Sequence, residues 1–183
     1  MKRALVLYCH PRDTSFNRAI RDLVVSRLEA AGVEARLRDL YAEGFDPVMS
    51  AHDHEIYETI PDNRERVARD CRDLEWCDSL IFVYPTWWYG LPAMLKGWLD
   101  RVMVPGVSFI MPKAPGGDIK PGLTHITKLG VFTTCGASRW LTFLVGAPGK
   151  RTLIKIKHAR TADVVALGYR IHKSGSGVGS LLV

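Results

Sequence analysis

A short apolar run, Leu80-Ile81-Phe82-Val83, passes without a break into Tyr84-Pro85-Thr86-Trp87-Trp88-Tyr89-Gly90-Leu91-Pro92-Ala93-Met94-Leu95-Lys96-Gly97-Trp98. The first part has the length and continuity of a strand buried on both faces, as in a parallel sheet. The last part has helical spacing. Between them stand three consecutive aromatic residues, Trp87, Trp88 and Tyr89. Such a cluster at a strand-to-helix junction either walls a flat apolar ligand or covers a core or a protein interface. The first use fits the place, because open α/β sheets bind ligands at the carboxyl ends of their strands.

The rest of the chain alternates in the same way. Ala4–Cys9 reads as a first strand, Phe16–Ala31 as a helix stopped by Gly32, and Val33–Leu37 as a second strand. Asp39–Glu58 is polar and irregular. Arg64–Trp76 reads as a charged helix, Ser79–Tyr84 as the third strand and Leu91–Val102 as the next helix. Pro105–Thr124 is rich in glycine and proline and has no periodicity, which suits a long functional loop. Lys128–Thr133 is a fourth strand, Ser138–Val145 and Lys150–His158 are helices, and Asp163–Tyr169 is a fifth strand. The expected fold class is therefore α/β: a doubly wound, five-stranded parallel sheet in the flavodoxin-like order 2-1-3-4-5, with helices on both faces. No GxGxxG follows the first strand, which argues against a dinucleotide-binding fold of the other order. Residues 1–173 are expected to form one domain. Residues 174–183 are a Gly/Ser-rich tail of flexible composition, where a closing amphipathic helix would be expected.

Composition narrows the function classes. The 183 residues are 47% apolar, enough for one full core, and carry a formal net charge of +6. The basic residues are spread along the chain, densest near Arg64–Arg72 and Lys150–Arg160, and form no nucleic-acid-binding arm. Four cysteines, Cys9, Cys71, Cys77 and Cys135, show neither CxxC nor metal spacing, which suits a reducing, cytoplasmic compartment. No signal-peptide or transmembrane pattern stands out. His52-Asp53-His54 lacks a further ligand at useful spacing, so a loop or helix-cap role is expected and no metal is assigned.

Three loops meet at one sheet edge in such a fold. The first carries His10, Thr14, Ser15, Phe16 and Asn17 at the opening of a helix, where N–H groups and the helix dipole attract an anion. Thr14 or Ser15 also suits the N-cap. The second is the aromatic run. The third is Thr133-Thr134-Cys135-Gly136, whose small residues let backbone approach a ligand, although an ordinary turn would look the same. Cys135 reads as a small buried residue or a redox-sensitive one. A phosphate site beside an aromatic slot suits a flavin.

These motifs resemble the NAD(P)H:quinone oxidoreductase family, which includes the bacterial modulator of drug activity and the ancillary oxidoreductases of potassium efflux systems. Its hallmark is Phe-Pro-x-x-Trp-Phe-Gly-x-Pro-Ala-x-Leu-Lys-Gly-Trp, matched by Tyr84–Trp98. His10 through Asn17 resembles its His-x(4)-Ser-Phe-Asn, and Thr133–Gly136 its Thr-Thr-Gly-Gly, with Cys135 in place of a glycine. The likeness covers roughly residues 3–158. It implies a homodimer with flavin at the interface. By position, His10, Phe16 and Asn17 would hold the phosphate end, Pro85, Thr86, Trp87, Trp88 and Tyr89 the isoalloxazine, and Thr133, Thr134, Cys135 and Gly136 its pyrimidine side. Trp87 and Trp88, with Trp140 nearby, would wall the nicotinamide and quinone pocket. The cofactor expected is FMN, with FAD as the alternative, and NAD(P)H is the co-substrate. Mammalian members place a Tyr and a His after the third motif; this chain has Leu141 and Ala147 there, so no catalytic side chain is carried over. The expected reaction is ping-pong transfer from NAD(P)H through flavin to a quinone-like acceptor. A flavodoxin-type electron carrier, a regulatory ancillary subunit of a potassium efflux system and a flavin-free binding module remain as alternatives.

Overall fold

A computed structural model of the chain describes residues 1–114, 116–136, 139–146, 148–154, 163–170 and 180–182. In chain order its elements are β1 (Arg3–Tyr8), α1 (Phe16–Ala30), β2 (Glu34–Asp39), α2 (Ala51–Glu55), a 3-10 turn (Asp62–Val67), α3 (Ala68–Trp76), β3 (Ser79–Pro85) and α4 (Ala93–Val102). There follow β4 (Phe109–Ile110), β5 (Lys120–Pro121), β6 (Lys128–Cys135), α5 (Arg139–Val145), α6 (Pro148–Ile154), β7 (Asp163–Arg170) and β8 (Ser180–Leu182).

The sheet is built on β1 and β3, whose apolar side chains alternate between two faces. Leu5 and Leu7 of β1 and Leu80, Phe82 and Tyr84 of β3 pack with Leu74 of α3 and Leu95, Trp98 and Val102 of α4. Ala4, Val6 and Tyr8 point the other way with Ile81 and Val83, against Ile20 and Leu28 of α1. Strands β2, β1, β3 and β6 lie side by side and parallel, the order expected for the first four strands. β7 pairs with β6, and β8 adds an antiparallel edge by pairing Leu181 with Tyr169. The sheet thus has six strands among the described residues, where five parallel ones were expected. The tail's composition predicts flexibility; its residues Ser180–Leu182 instead pair with β7, because an edge strand leaves backbone N–H and C=O groups open to pairing. Residues 174–179, Ala147 and the end of the expected Lys150–His158 helix lie outside the described residues.

Three further expectations are corrected. Arg64–Trp76 is not one helix: a 3-10 turn runs to Val67, and the α-helix starts at Ala68. The Asn63 amide donates to the carbonyls of Tyr57 and Pro105, both at 3.0 Å, and Arg64 donates to Gly106 at 2.7 Å, so this turn is committed to the loop after α4. That loop is not structureless. β4 and β5 form an antiparallel hairpin in it, closed where Gly122 lies so near the Val107 carbonyl that a Cβ would stand 2.2 Å from it. Finally, Asp39–Glu58 contains α2, whose first turn is fixed by a capping box between Ser50 and Asp53. The expected cap role of the His52-Asp53-His54 stretch is met by Asp53.

α3 is tied to its neighbours by buried charge. Arg38 of β2 grips Asp70 of α3 with two hydrogen bonds of 3.2 Å, and the Trp98 indole of α4 donates to the same carboxylate at 2.7 Å. A buried carboxylate needs such partners to offset its desolvation.

Candidate functional site

Ser15 is the N-cap of α1. Its hydroxyl accepts the Arg18 N–H at 3.2 Å and lies 3.1 Å from the Tyr8 hydroxyl. Thr14 is exposed beside it. The His10 Nδ1 accepts the Arg12 N–H at 3.0 Å, and burial lowers the imidazole's pKa. The neutral ring therefore carries its proton on Nε2, which is left as a donor. The His10 and Trp87 rings stand 6.1 Å apart, which joins the first loop to the second.

Asn17 is placed differently from a solvent-facing phosphate ligand. It is 3% exposed. Its amide donates to Thr134 Oγ1 at 2.9 Å, and its Oδ1 has no hydrogen-bond partner among the described residues. The buried acceptor is a place where a ligand hydroxyl would be satisfied. Thr134 is itself held: its carbonyl accepts the Thr86 N–H at 2.7 Å, while the Thr86 and Thr133 hydroxyls lie 2.8 Å apart. Asn17, Thr134, Thr86 and Thr133 thus stitch the three loops together.

The aromatic run forms a tight turn. The Gly90 N–H donates to the Trp87 carbonyl at 3.0 Å, and Trp88 and Tyr89 adopt φ of 48° and 61°. Bulky residues with φ in this region are strained and concentrate at functional sites. The turn is backed by α6: a Cβ on Gly149 would stand 3.2 Å from the Gly90 backbone. Trp88 projects from the turn and is 95% exposed.

A cavity of about 350 Å³ opens between this turn and the end of β6, lined by Thr86, Trp88, Tyr89, Cys135, Gly136 and Leu141. Its position at the carboxyl edge of β3 and β6 is the one expected for a ligand in an open sheet. A Cβ on Gly136 would meet nothing within 4 Å, so backbone borders the space directly. Cys135 is half-buried at the cavity, not a buried core residue. The other three thiols are buried, and burial pushes Cys9 and Cys77 up to about 12 and Cys71 to about 11, which keeps them protonated.

Most of the expected residues converge here, in two groups. Trp88, Tyr89, Thr86, Cys135 and Gly136 line the cavity, and Pro85, Thr133 and Thr134 stand at the adjoining ends of β3 and β6. His10, Thr14, Ser15, Phe16 and Asn17 surround the start of α1. Trp87 and Trp140 do not line this cavity: the Trp87 ring lies beside His10, and Trp140 is 70% exposed on α5, while its neighbour Leu141 reaches the cavity. Tyr84, the first residue of the matched motif and not among the expected site residues, is buried at the end of β3 opposite Thr133 of β6. Among the described residues no group of three His, Cys, Asp or Glu could hold a metal ion, and no helix is long and apolar enough to cross a membrane.

Comparison with known proteins places this geometry in a lineage. A family model described as a flavodoxin-like fold matches residues 2–150. The chain is 33% identical over 170 residues to NAD(P)H dehydrogenase [quinone] 1 of Rattus norvegicus, covering 84% of this chain and 61% of that one. The chain thus spans about three fifths of that relative's length. Among solved structures, Smu.1420 from Streptococcus mutans UA159 superposes with a TM-score of 0.77 at 28% identity, covering 95% of this chain and 90% of that one. An FMN-dependent NADH-azoreductase from Bacillus anthracis in complex with FMN shares the fold at a TM-score of 0.70 and 14% identity, over 93% and 87% of the two chains. The chain belongs to the flavodoxin-like fold family and is a relative of the NAD(P)H dehydrogenases [quinone].

Proposed function

We propose that this chain is a flavin-dependent NAD(P)H oxidoreductase acting on quinone-like acceptors, with FMN as its cofactor and FAD as the alternative. The observation that carries the proposal is the 350 Å³ cavity between the strained aromatic turn and Cys135-Gly136, stitched through Thr134 and Asn17 to the N-terminus of α1. The residues fit a flavin in kind. The cavity has aromatic and aliphatic walls with backbone at its border, as a flat ring system requires. The start of α1, with Ser15 and the Nε2 donor of His10, suits a phosphate. The orphaned Asn17 Oδ1, between the two, suits a hydroxyl of a polyol linker.

When bound, the flavin supplies the redox chemistry, and the protein's task is orientation and electrostatics. Trp88 and Tyr89 form the face against which nicotinamide or quinone would lie. The region from Thr134 to Gly136 offers backbone donors where negative charge would develop. Leu141 excludes water and carries no proton. The same reading includes a ping-pong cycle, a homodimer whose interface holds the flavin, a cytoplasmic location, and Asp163–Arg170 as fifth strand of a 2-1-3-4-5 order.

The test is an absorption spectrum of the purified protein before and after addition of FMN or FAD, then after NADPH under argon. Flavin bands that bleach within seconds are expected. A yellow protein that does not bleach would indicate an electron carrier, and a protein that stays colourless with both flavins would refute the proposal. With menadione as acceptor, double-reciprocal plots should be parallel; intersecting lines would exclude the ping-pong form.

A further inference from the structure

We infer that Gly149 of α6 is a positioning residue for the site: lacking a side chain, it seats α6 against the Gly90–Leu91 peptide and so fixes how far the aromatic turn stands from Cys135 and Gly136. It touches no ligand and acts through Trp88 and Tyr89. The inference rests on the flavin reading above and adds to it the element that sets the width of the slot.

The contact is made with backbone. Gly149 is buried, and a Cβ on it would stand 3.2 Å from the Gly90 carbonyl carbon and 3.4 Å from both the Leu91 nitrogen and Leu91 Cδ2. Two of these three atoms belong to the peptide bond that leaves the turn. A corner brings α6 here from α5. Gly146, between the two helices, has a φ of 80°, and a Cβ on it would stand 3.0 Å from a guanidinium nitrogen of Arg151 in α6. α5 in turn supplies Leu141 to the cavity. One corner thus borders the cavity twice, directly through Leu141 and indirectly through the turn that carries Trp88 and Tyr89.

Which side yields to an added methyl group follows from how firmly each is held. Leu153 anchors α6 and is fully buried in the core. After the contact, Leu95 and Trp98 lock α4, and both are fully buried. Before it, the turn is tied at Thr86, whose N–H donates to the Thr134 carbonyl at 2.7 Å. Between these fixed points the turn holds Trp88 and Tyr89 at φ of 48° and 61°, with Trp88 almost wholly exposed. The turn is therefore the segment held least by packing. A methyl group at 149 pushes the Gly90–Leu91 peptide by a few tenths of an ångström, and the turn moves while the two helices hold their places. Helix propensity points the other way, since alanine suits a helix better than glycine. Stability and ligand binding therefore part company at this position.

The experiment compares the full chain with Gly149→Ala, Gly149→Val and Thr152→Ala. Thr152 is an exposed residue of α6 whose hydroxyl donates to the Pro148 carbonyl at 2.9 Å, so its loss alters the helix without adding an atom at the turn. Near-UV circular dichroism of each apoprotein reports the packing of the aromatic residues. FMN is then titrated in by fluorescence, and the absorption maximum of the bound FMN and the thermal midpoint are recorded. Gly149→Ala is expected to alter the near-UV spectrum, weaken FMN binding about fivefold and shift the absorption maximum, with a midpoint within about 2 °C of the parent. Gly149→Val should weaken binding about thirtyfold. Thr152→Ala should stay within about twofold of the parent. Normal binding with unaltered spectra in Gly149→Ala, an equal loss in Thr152→Ala, or a Gly149→Ala chain that fails to fold would overturn the inference and leave the flavin reading standing. A parent chain that binds neither FMN nor FAD would overturn the flavin reading. The near-UV spectra of the apoproteins would then decide the seating of the turn, and identical spectra would overturn that too.

Discussion

Trp88 and Tyr89 occupy backbone conformations that their own side chains disfavour. Trp88 recovers almost nothing through packing, since it is 95% exposed. Strain of about 1 kcal/mol or more at such a residue persists only where the surrounding turn enforces it. Asparagine tolerates this region far better. Trp88→Asn is therefore expected to raise the thermal unfolding midpoint by about 2–4 °C, while FMN binding weakens about tenfold through loss of the aromatic wall. Calorimetry and fluorescence titration check the two halves; a variant that loses stability would show that the turn is not strained. At this scale the sequence was legible where chemistry is local. Thr14 or Ser15 reads as the N-cap from its place before the periodic residues, and the cap is Ser15. Asn17 reads as another polar residue of a helix opening, yet it is buried against Thr134, 117 positions away. Nothing in its local sequence separates those two environments.

Helix α4 follows directly from the aromatic turn, so whatever holds α4 also holds the turn. Gly97 faces Pro47, and a Cβ there would stand 2.2 Å from the Pro47 carbonyl oxygen. Helix propensity alone would make Gly97→Ala stabilising by about 1 kcal/mol. The collision is with backbone, which cannot step aside cheaply, so a net loss of about 2 kcal/mol is expected instead. Urea denaturation would decide the sign. One turn on, Arg101 donates to the Asp46 carbonyl and pairs with Asp53 at 3.3 Å. Burial would raise the Asp53 carboxyl, but hydrogen bonds from the Ser50 backbone and hydroxyl, with the charges of Arg101 and Arg66, outweigh it, and its pKa is lowered. A depressed carboxylate contributes stability that is full above its unfolded value near ~3.9 and fades as pH falls through its folded value. Asp53→Asn should therefore flatten the acid limb of the stability curve below about pH 4; identical acid limbs would exclude this coupling. The strands were legible because continuous apolar runs permit few alternatives. The 3-10 turn and the β4–β5 hairpin were not, since both depend on Asn63 and Arg64 meeting the loop after α4, a tertiary event.

Across the whole molecule, the carboxyl edge of the sheet gathers large apolar side chains that the monomer leaves uncovered. Phe16 is 46% exposed, Trp88 95%, Trp140 70% and Leu144 63%. Trp140 and Leu144 are four residues apart, so they share one face of α5. That the three loops meet at this edge was legible in the sequence, because the sheet order determines which loops converge there. The partition of the aromatics was not: Trp140 and Leu141 are adjacent, yet one faces outward and the other lines the cavity, a distinction of helix phase that the short α5 pattern left open. Uncovered aromatic and aliphatic groups beside a cavity are unusual on a monomer and suit an interface. In the homodimer proposed above, a second copy would cover them and close the open side of the flavin slot. The chain of 20.5 kDa should then sediment at about twice that mass. Trp140→Asp, which puts a charge on the exposed face of α5 without entering the cavity, should yield monomers and weaken FMN binding in parallel. A monomeric parent chain that binds FMN as tightly as the variant would show that one copy completes the site, and the role of Trp140 would have to be sought in a different contact.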